Sequence, residues 1–334
     1  MVPQWIAALL VSVSISLFTV TGFVMQSLEL RDPEKWKKYP RFGEVVLSPR
    51  WICGFALQTF PNFFGDIIAY ALAPLSLLAP LSGVAVALNT SIAPWMLGER
   101  LQKFPDIPAT MLILAGVMIT SMTGAHEDHI DVTDYAMIGD LMMAPLTMAV
   151  FAGLLVSLIA AFVVEEMGRS FMDEEDAKPA FDAPRVPFVI LAAWLAAGTG
   201  CVTNISIKIV SEVLSQGQNK QLLALATLLC GVVPAALLQQ QALNKGLRLY
   251  PQTVFFPIYS SLLMLANSFF GAIFFDEYIG LMEGTRGFYF ASGLNLIVMG
   301  IFLFSWRTGD GEKDAQNDSL TECLLDTSDI KWPA

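Results

Sequence analysis

Nine apolar stretches of roughly membrane-spanning length occupy most of the chain: 5–25, 51–73, 76–97, 108–124, 142–165, 187–211, 220–243, 252–276 and 286–306. Crossing the hydrocarbon core takes roughly twenty apolar residues in a helix. A helix also satisfies its own backbone polar groups where no water is available. Nine such stretches in 334 residues leave no room for a sizeable soluble domain. Only 15% of the residues are charged, against about a quarter in soluble domains. The first stretch lacks a basic start and a small-residue cleavage site, so it reads as an uncleaved span. The sequence predicts an all-α integral membrane protein with nine transmembrane helices.

Lysine and arginine placement supplies an orientation. The segments 26–50, 98–107, 166–186 and 244–251 fall on one side if there are nine spans, and together they hold thirteen basic residues. The opposite side holds Lys220 and Arg286. This predicts an outside N-terminus and a cytoplasmic C-terminus. The outer segment 125–141 carries Glu127, Asp128, Asp131, Asp134 and Asp140 with no lysine or arginine, a composition that concentrates cations or is merely solvated. His126 and His129 are too few to specify a metal.

An internal repeat sets the expected architecture. Pro74 and Pro80 have the spacing of Pro251 and Pro257, and Asn89 and Glu99 have the spacing of Asn267 and Glu277. The first set lies on spans two and three, the second on spans seven and eight. A shift of five spans inverts one unit relative to the other, the arrangement of many alternating-access carriers. The expected organisation is a first repeat over 1–124 and a second over 187–306. Between them, 125–186 holds an acidic outer loop, a connecting helix and an inner linker. A polar acidic tail, 307–334, has the composition of a disordered segment.

Polar groups inside spans are costly and therefore informative. Asp66 falls inside span two, and Asn62 lies four residues earlier on the same helical face. A carboxylate and an amide oxygen are hard ligands that suit Mg²⁺ or Ca²⁺. Asp66 is thus the candidate metal ligand or proton carrier; pairing with Lys208 or a structural hydrogen bond is the competing reading. Asn89 and Asn267 occupy equivalent depths in the repeat, where inverted symmetry would bring them together near a central axis. They and Asn204 either line the transport path or tie helices together. Lys208 either snorkels or exchanges acidic partners. Glu99 and Glu277 end their helices, with structural capping or gating as their roles. Among Gln239, Gln240 and Gln241, at least one should turn inward or lie at headgroup level.

Other classes are excluded or disfavoured. A net charge of -11 argues against nucleic-acid binding. No nucleotide-binding GxxxxGK[ST], HExxH or GxSxG is present, so no enzyme and no resident cofactor are expected. The cysteines Cys53, Cys201, Cys230 and Cys323 show neither metal-ligand nor disulfide spacing.

The stretch AYALAPLSLLAPLSGVAVALNTSIAPWMLGERL (69–101) closely resembles blocks of the NIPA magnesium-transporter family, within the drug/metabolite transporter superfamily. QALNKGLRLYPQTVFFPIY (241–259), FFDE (274–277), SGLNLIVMGIFLF (292–304) and GCVTNISIK (200–208) resemble others, and HED (126–128) falls in the family's acidic loop. The resemblance covers about residues 5–306. It implies Mg²⁺ uptake at the plasma membrane and early endosome, with other divalent cations moved by some members. One departure concerns the family's GEVANF-like run. Here it reads NFFGDI, with Phe63 where the glutamate is expected and Asp66 where the asparagine is expected. The family's lysine cluster after span one is replaced by MQS at 25–27.

The residues and the resemblance together predict a carrier importing divalent cations, Mg²⁺ first, by alternating access. A small-metabolite carrier, a channel-like conductance and a non-transporting membrane adaptor are the alternatives. Homo-oligomers and partners for the tail stay open.

Overall fold

The computed structural model describes residues 4–31, 48–72, 78, 82–99, 104–123, 140–170, 186–215, 221–275 and 284–305. Glu277, most of the acidic segment 125–141, the linker 171–185 and the tail fall outside the described residues. Those described form helical rods: α1 (Gln4–Leu30), α2 (Pro49–Leu72), α3 (Ser82–Leu97), α4 (Asp106–Thr123), α5 (Pro145–Ser170) and α6 (Val186–Ser215). The seventh rod, α7, consists of Gln221–Thr227, a π turn at Leu228–Val232 and Val233–Leu249. It is followed by α8 (Gln252–Phe274) and α9 (Arg286–Ser305).

Six of these helices are long and apolar enough to cross a membrane: α1, α5, α6, α7, α8 and α9. The expected nine is therefore met in part. The shortfall has local causes. Helix α3 is described over Ser82–Leu97, 16 residues. Helix α4 is 18 residues long and opens on the buried Asp106. Helix α2 has 24 residues, but Gln58, Asn62 and Asp66 dilute its apolar character.

Helix α8 is the hub. It packs on α6 and α3, and more lightly on α9, α5 and α7. Phe255, Phe256, Ile258 and Met264 along it are almost fully buried. Helix α5 lies outermost, with Leu155, Ile159 and Phe162 exposed along it. A wide exposed apolar surface is what a lipid-facing helix presents.

Two seams bring backbones into contact. At Gly22 of α1 an added Cβ would lie 2.6 Å from the Gly54 carbonyl oxygen of α2, and at Gly54 one would lie 2.8 Å from that of Gly22. Gly116 of α4 and Gly293 of α9 face each other in the same way. Small residues let helices approach where lipid supplies no hydrophobic drive for association.

Shifting every helix by five positions maps the main contacts onto one another. The α1–α2 contact becomes α6–α7, and α1–α3 becomes α6–α8. Likewise α3–α4 becomes α8–α9, and α1–α7 exchanges with α2–α6. The α3–α8 and α4–α9 contacts map onto themselves. Helix α5 has no counterpart.

Replacing Gly116 with leucine should cost about 2–3 kcal/mol through overpacking against the Gly293 backbone. This reads as a lower melting temperature of the detergent-purified protein. Gly153→Leu on α5, where an added Cβ meets nothing within 4 Å, should leave the melting temperature unchanged.

Candidate functional site

The bundle interior holds two polar regions, one towards each end. The first lies where α1, α3 and α7 finish and α2 and α8 begin. Pro251 biases the preceding residue away from helix, and Tyr250 is accordingly extended (φ -128, ψ 152). The chain breaks there between α7 and α8. The first helical bonds of α8 are those from Val254 and Phe255 N–H to the Pro251 carbonyl. Helix starts leave orphan N–H groups, and here those of Gln252 and Thr253 are left over. Both are taken by Glu99, which follows α3 in the chain: Gln252 N–H donates to Oε1 at 2.8 Å and Thr253 N–H to Oε2 at 2.7 Å.

Arg31, one residue beyond α1, completes the arrangement. Its guanidinium pairs with Glu99 Oε1. It also donates from Nε to the Leu247 carbonyl at 3.2 Å and from Nη2 to the Tyr250 carbonyl at 2.9 Å. One partly buried ion pair therefore serves the end of α7 and the start of α8, in the sense the helix dipoles favour. Burial pushes the Glu99 carboxyl upward, but the Arg31 charge and the hydrogen bonds from Arg31 and Thr253 outweigh it and hold the group below its ordinary value.

Above this clasp runs a chain of side-chain amides. Trp51 Nε1 and Gln240 Nε2 both donate to Asn244 Oδ1 at 3.2 Å. Gln240 Nε2 also donates to Gln26 Oε1 at 3.0 Å, and Gln26 Nε2 donates to Gln58 Oε1 at 2.9 Å. Gln239 donates to the Tyr259 hydroxyl at 2.8 Å. Of the three consecutive glutamines, Gln239 and Gln240 turn inward and Gln241 is exposed.

Asn89 is fully buried and pairs with Gln252: Gln252 Nε2 donates to Asn89 Oδ1 at 2.8 Å. Asn267 lies fifteen residues further along α8, about 22 Å at 1.5 Å per residue. The expected meeting of Asn89 and Asn267 on a central axis does not occur. Equivalent sequence depths do not converge because α3 meets α8 at the latter's first turn.

The second polar region lies towards the ends of α2, α6 and α8. Asp66 is half-buried and six residues from the end of α2, about 9 Å along its axis. Phe63 and Tyr70, one turn to either side, pack in one apolar cluster with Cys201 and Ile205 of α6 and Ala266 and Phe270 of α8. Ser211 of α6 donates to the carbonyl of Ile67 at 2.6 Å. Asp66 therefore shares the face of α2 that meets α6 and α8.

Asn204 lies on α6 beside that cluster, and Asn267 on α8 is buried with its Oδ1 lacking a hydrogen-bond partner. Among the described residues nothing donates a hydrogen bond to Asp66, and Asp66 and Lys208 form no ion pair. Lys208 is 3% exposed and does not reach out to solvent; its ammonium sits over the Phe275 ring, 4.8 Å from the centroid. Asn62 is engaged with Thr19 of α1, donating from Nδ2 at 2.8 Å. Among the described residues no three His, Cys, Asp or Glu side chains gather to hold a metal ion. Any cation at Asp66 would have to draw the rest of its oxygen shell from amides, hydroxyls and water.

Arg31, Gln26, Gln58, Trp51, Asn244 and Gln252 are not conspicuous as site residues in the sequence. Arg31 reads there only as one of the basic residues that set orientation. The available signals were its position directly after span one, polar residues interrupting otherwise apolar runs, and a glutamine just after Pro251.

Among the described residues, an all-helical bundle with six helices of membrane-spanning length and apolarity defines an integral membrane protein of the all-α class. The family model for the magnesium transporter NIPA matches residues 4–309, and the chain belongs to that family. A curated relative, the probable magnesium transporter NIPA7 of Arabidopsis thaliana, is 27% identical over 113 residues, 33% of this chain. The match spans about a third of the relative's length, 34%. No solved structure shows significant similarity to the chain.

Glu99→Gln should lower stability by about 3 kcal/mol, because it leaves the Arg31 charge without its carboxylate. The sign with pH follows from a lowered carboxyl. Its stabilisation is complete above the ordinary carboxylate range and is lost as pH falls through the folded-state value. Melting temperatures of wild type and Glu99→Gln should therefore converge on acidification. Gln240→Leu should cost about 1–3 kcal/mol by stranding Gln26 and Asn244 partners, measurable in the same melt.

Proposed function

We propose that the protein carries divalent cations, Mg²⁺ first, across a membrane towards the cytoplasm by alternating access. The observation that supports this most directly is Asp66, a carboxylate within a membrane-type bundle that accepts no hydrogen bond among the described residues. Asn204 on α6 and Asn267 on α8 border the same apolar cluster and offer hard amide oxygens. Mg²⁺ sheds water reluctantly and is commonly held by one or two carboxylates with water completing its shell. A site with one carboxylate and few other protein ligands suits such an ion.

The proposed topology has nine membrane-crossing helices, the N-terminus outside and the C-terminus in the cytoplasm. The invariance of helix packing under a shift of five supports inverted repeats flanking α5. In this orientation Asp66 lies in the outer half and the Arg31–Glu99 clasp closes the inner end. An inward-negative potential then drives entry, by about 2.3 kcal/mol per charge for each 100 mV. The protein resides in the plasma membrane, the early endosome or both.

The test is uptake by purified protein in liposomes. Mg²⁺ should enter saturably, faster under an inside-negative potential, and compete with Mn²⁺. Asp66→Asn should lower uptake about tenfold or more while the melting temperature stays near that of wild type. Undiminished flux through a folded Asp66→Asn protein removes Asp66 from the path. Absence of uptake for Mg²⁺, Ca²⁺, Mn²⁺ and Zn²⁺ alike, with and without a proton gradient, removes the transport reading.

A further inference from the structure

We infer that the oxygen set gathered by Arg31 at the α7–α8 break is a second cation station, from which a divalent cation and the Arg31 guanidinium displace one another. The inference rests on the cation-transport reading and assigns that reading an inner release site.

The guanidinium draws together a carboxylate oxygen, Glu99 Oε1, and two backbone carbonyls, Leu247 O at 3.2 Å and Tyr250 O at 2.9 Å. Carboxylate and backbone carbonyl oxygens are the ligand types that hard divalent cations take. Gln252 contributes a second observation. It is fully buried, its N–H donates to Glu99, and its side-chain Oε1 has no hydrogen-bond partner. Beside it stands Asn89 Oδ1, which accepts from the Gln252 amide. The neighbourhood is thus rich in oxygen, with the Arg31 guanidinium at its centre.

The spacing favours a hydrated ion. Oxygens set around a guanidinium are too far apart for the 2.0–2.1 Å contacts that bare Mg²⁺ demands, but they match an ion that keeps its waters. The carboxylate is also fixed in advance. The N–H groups of Gln252 and Thr253 hold both Glu99 oxygens whether or not Arg31 is present. Losing Arg31 would therefore leave the acceptors in place and uncompensated.

The arrangement answers a difficulty of any carrier for a strongly held ion. A preformed carboxylate and carbonyl site would retain the cation at the exit. Arg31, tethered at the end of α1, is a competitor at high effective concentration. An arriving divalent charge displaces it and frees the end of α7. Its return restores the clasp and expels the ion.

The test measures Mn²⁺ binding to full-length protein in nanodiscs by electron paramagnetic resonance. Arg31→Gln should tighten binding at one site about tenfold or more, and Arg31→Gln with Glu99→Gln should abolish that gain. Arg31→Lys keeps the charge and should stay within about threefold of wild type. Asp66→Asn should remove a separate site and leave the Arg31→Gln gain intact, so failure here is distinct from failure of the Asp66 assignment. A folded Arg31→Gln protein with wild-type Mn²⁺ affinity overturns the inference, as does a gain that survives Glu99→Gln. Should Arg31→Gln not fold, infrared difference spectra of otherwise wild-type protein decide the matter. A Mg²⁺-induced carboxylate band lost in Glu99→Gln supports the station. A band lost only in Asp66→Asn, or no band at all, overturns it.

Discussion

A backbone break inside a bundle meant for lipid must find partners for every amide and carbonyl it frees. At Tyr250–Pro251 that demand is met by two side chains from the opposite half of the chain, Arg31 and Glu99. The rest of the arrangement depends on this. Helix α8 can start at the inner core of the bundle only because Glu99 takes its first N–H groups, and α8 is the helix on which α3 and α6 pack. The same ion pair fixes the ends of α1 and α3 relative to α7. Removing Glu99 would strip the partner from the Arg31 charge and from the first N–H groups of α8 together.

The remaining interior polarity is stratified. Towards the clasp, amides satisfy one another in a chain from Trp51 to Gln58. Towards the other end Asp66 accepts no hydrogen bond among the described residues and the Asn267 oxygen has no partner, as the Gln252 oxygen beside the clasp has none. A satisfied network rigidifies its surroundings, whereas unsatisfied buried oxygens keep affinity for whatever can complete them. The satisfied amides hold helices together, while the unsatisfied oxygens at either end keep capacity for a partner.

How far the sequence foretold this depends on whether a signal is local. Membrane-length apolar runs mark the described helices within a turn or two. Glu99 stood out as a helix-end acid, but nothing near it points to Gln252, 153 residues away. Depth was misjudged for the same reason. Asn89 and Asn267 have equivalent places in the repeat, yet α3 crosses α8 near Gln252, and that crossing is set by side-chain fit between distant segments. Glu277 carries the matching pattern and lies outside the described residues.

The π turn at Leu228–Val232 has a consequence for the lower part of α7. Val233 N–H reaches back to the Leu228 carbonyl, five residues earlier, so this turn carries one residue more than its neighbours. In an α-helix each residue turns the chain by about 100°. The extra residue therefore decides which way Gln239, Gln240 and Asn244 point. Wind the same residues as regular α-helix instead, and the shaft below would rotate by about that angle, carrying Gln240 away from Gln26 and turning Leu238 inward. Helix α7 is in this sense a keyed axle, with Gly231 beside Ser206 of α6 as the notch that sets its angle.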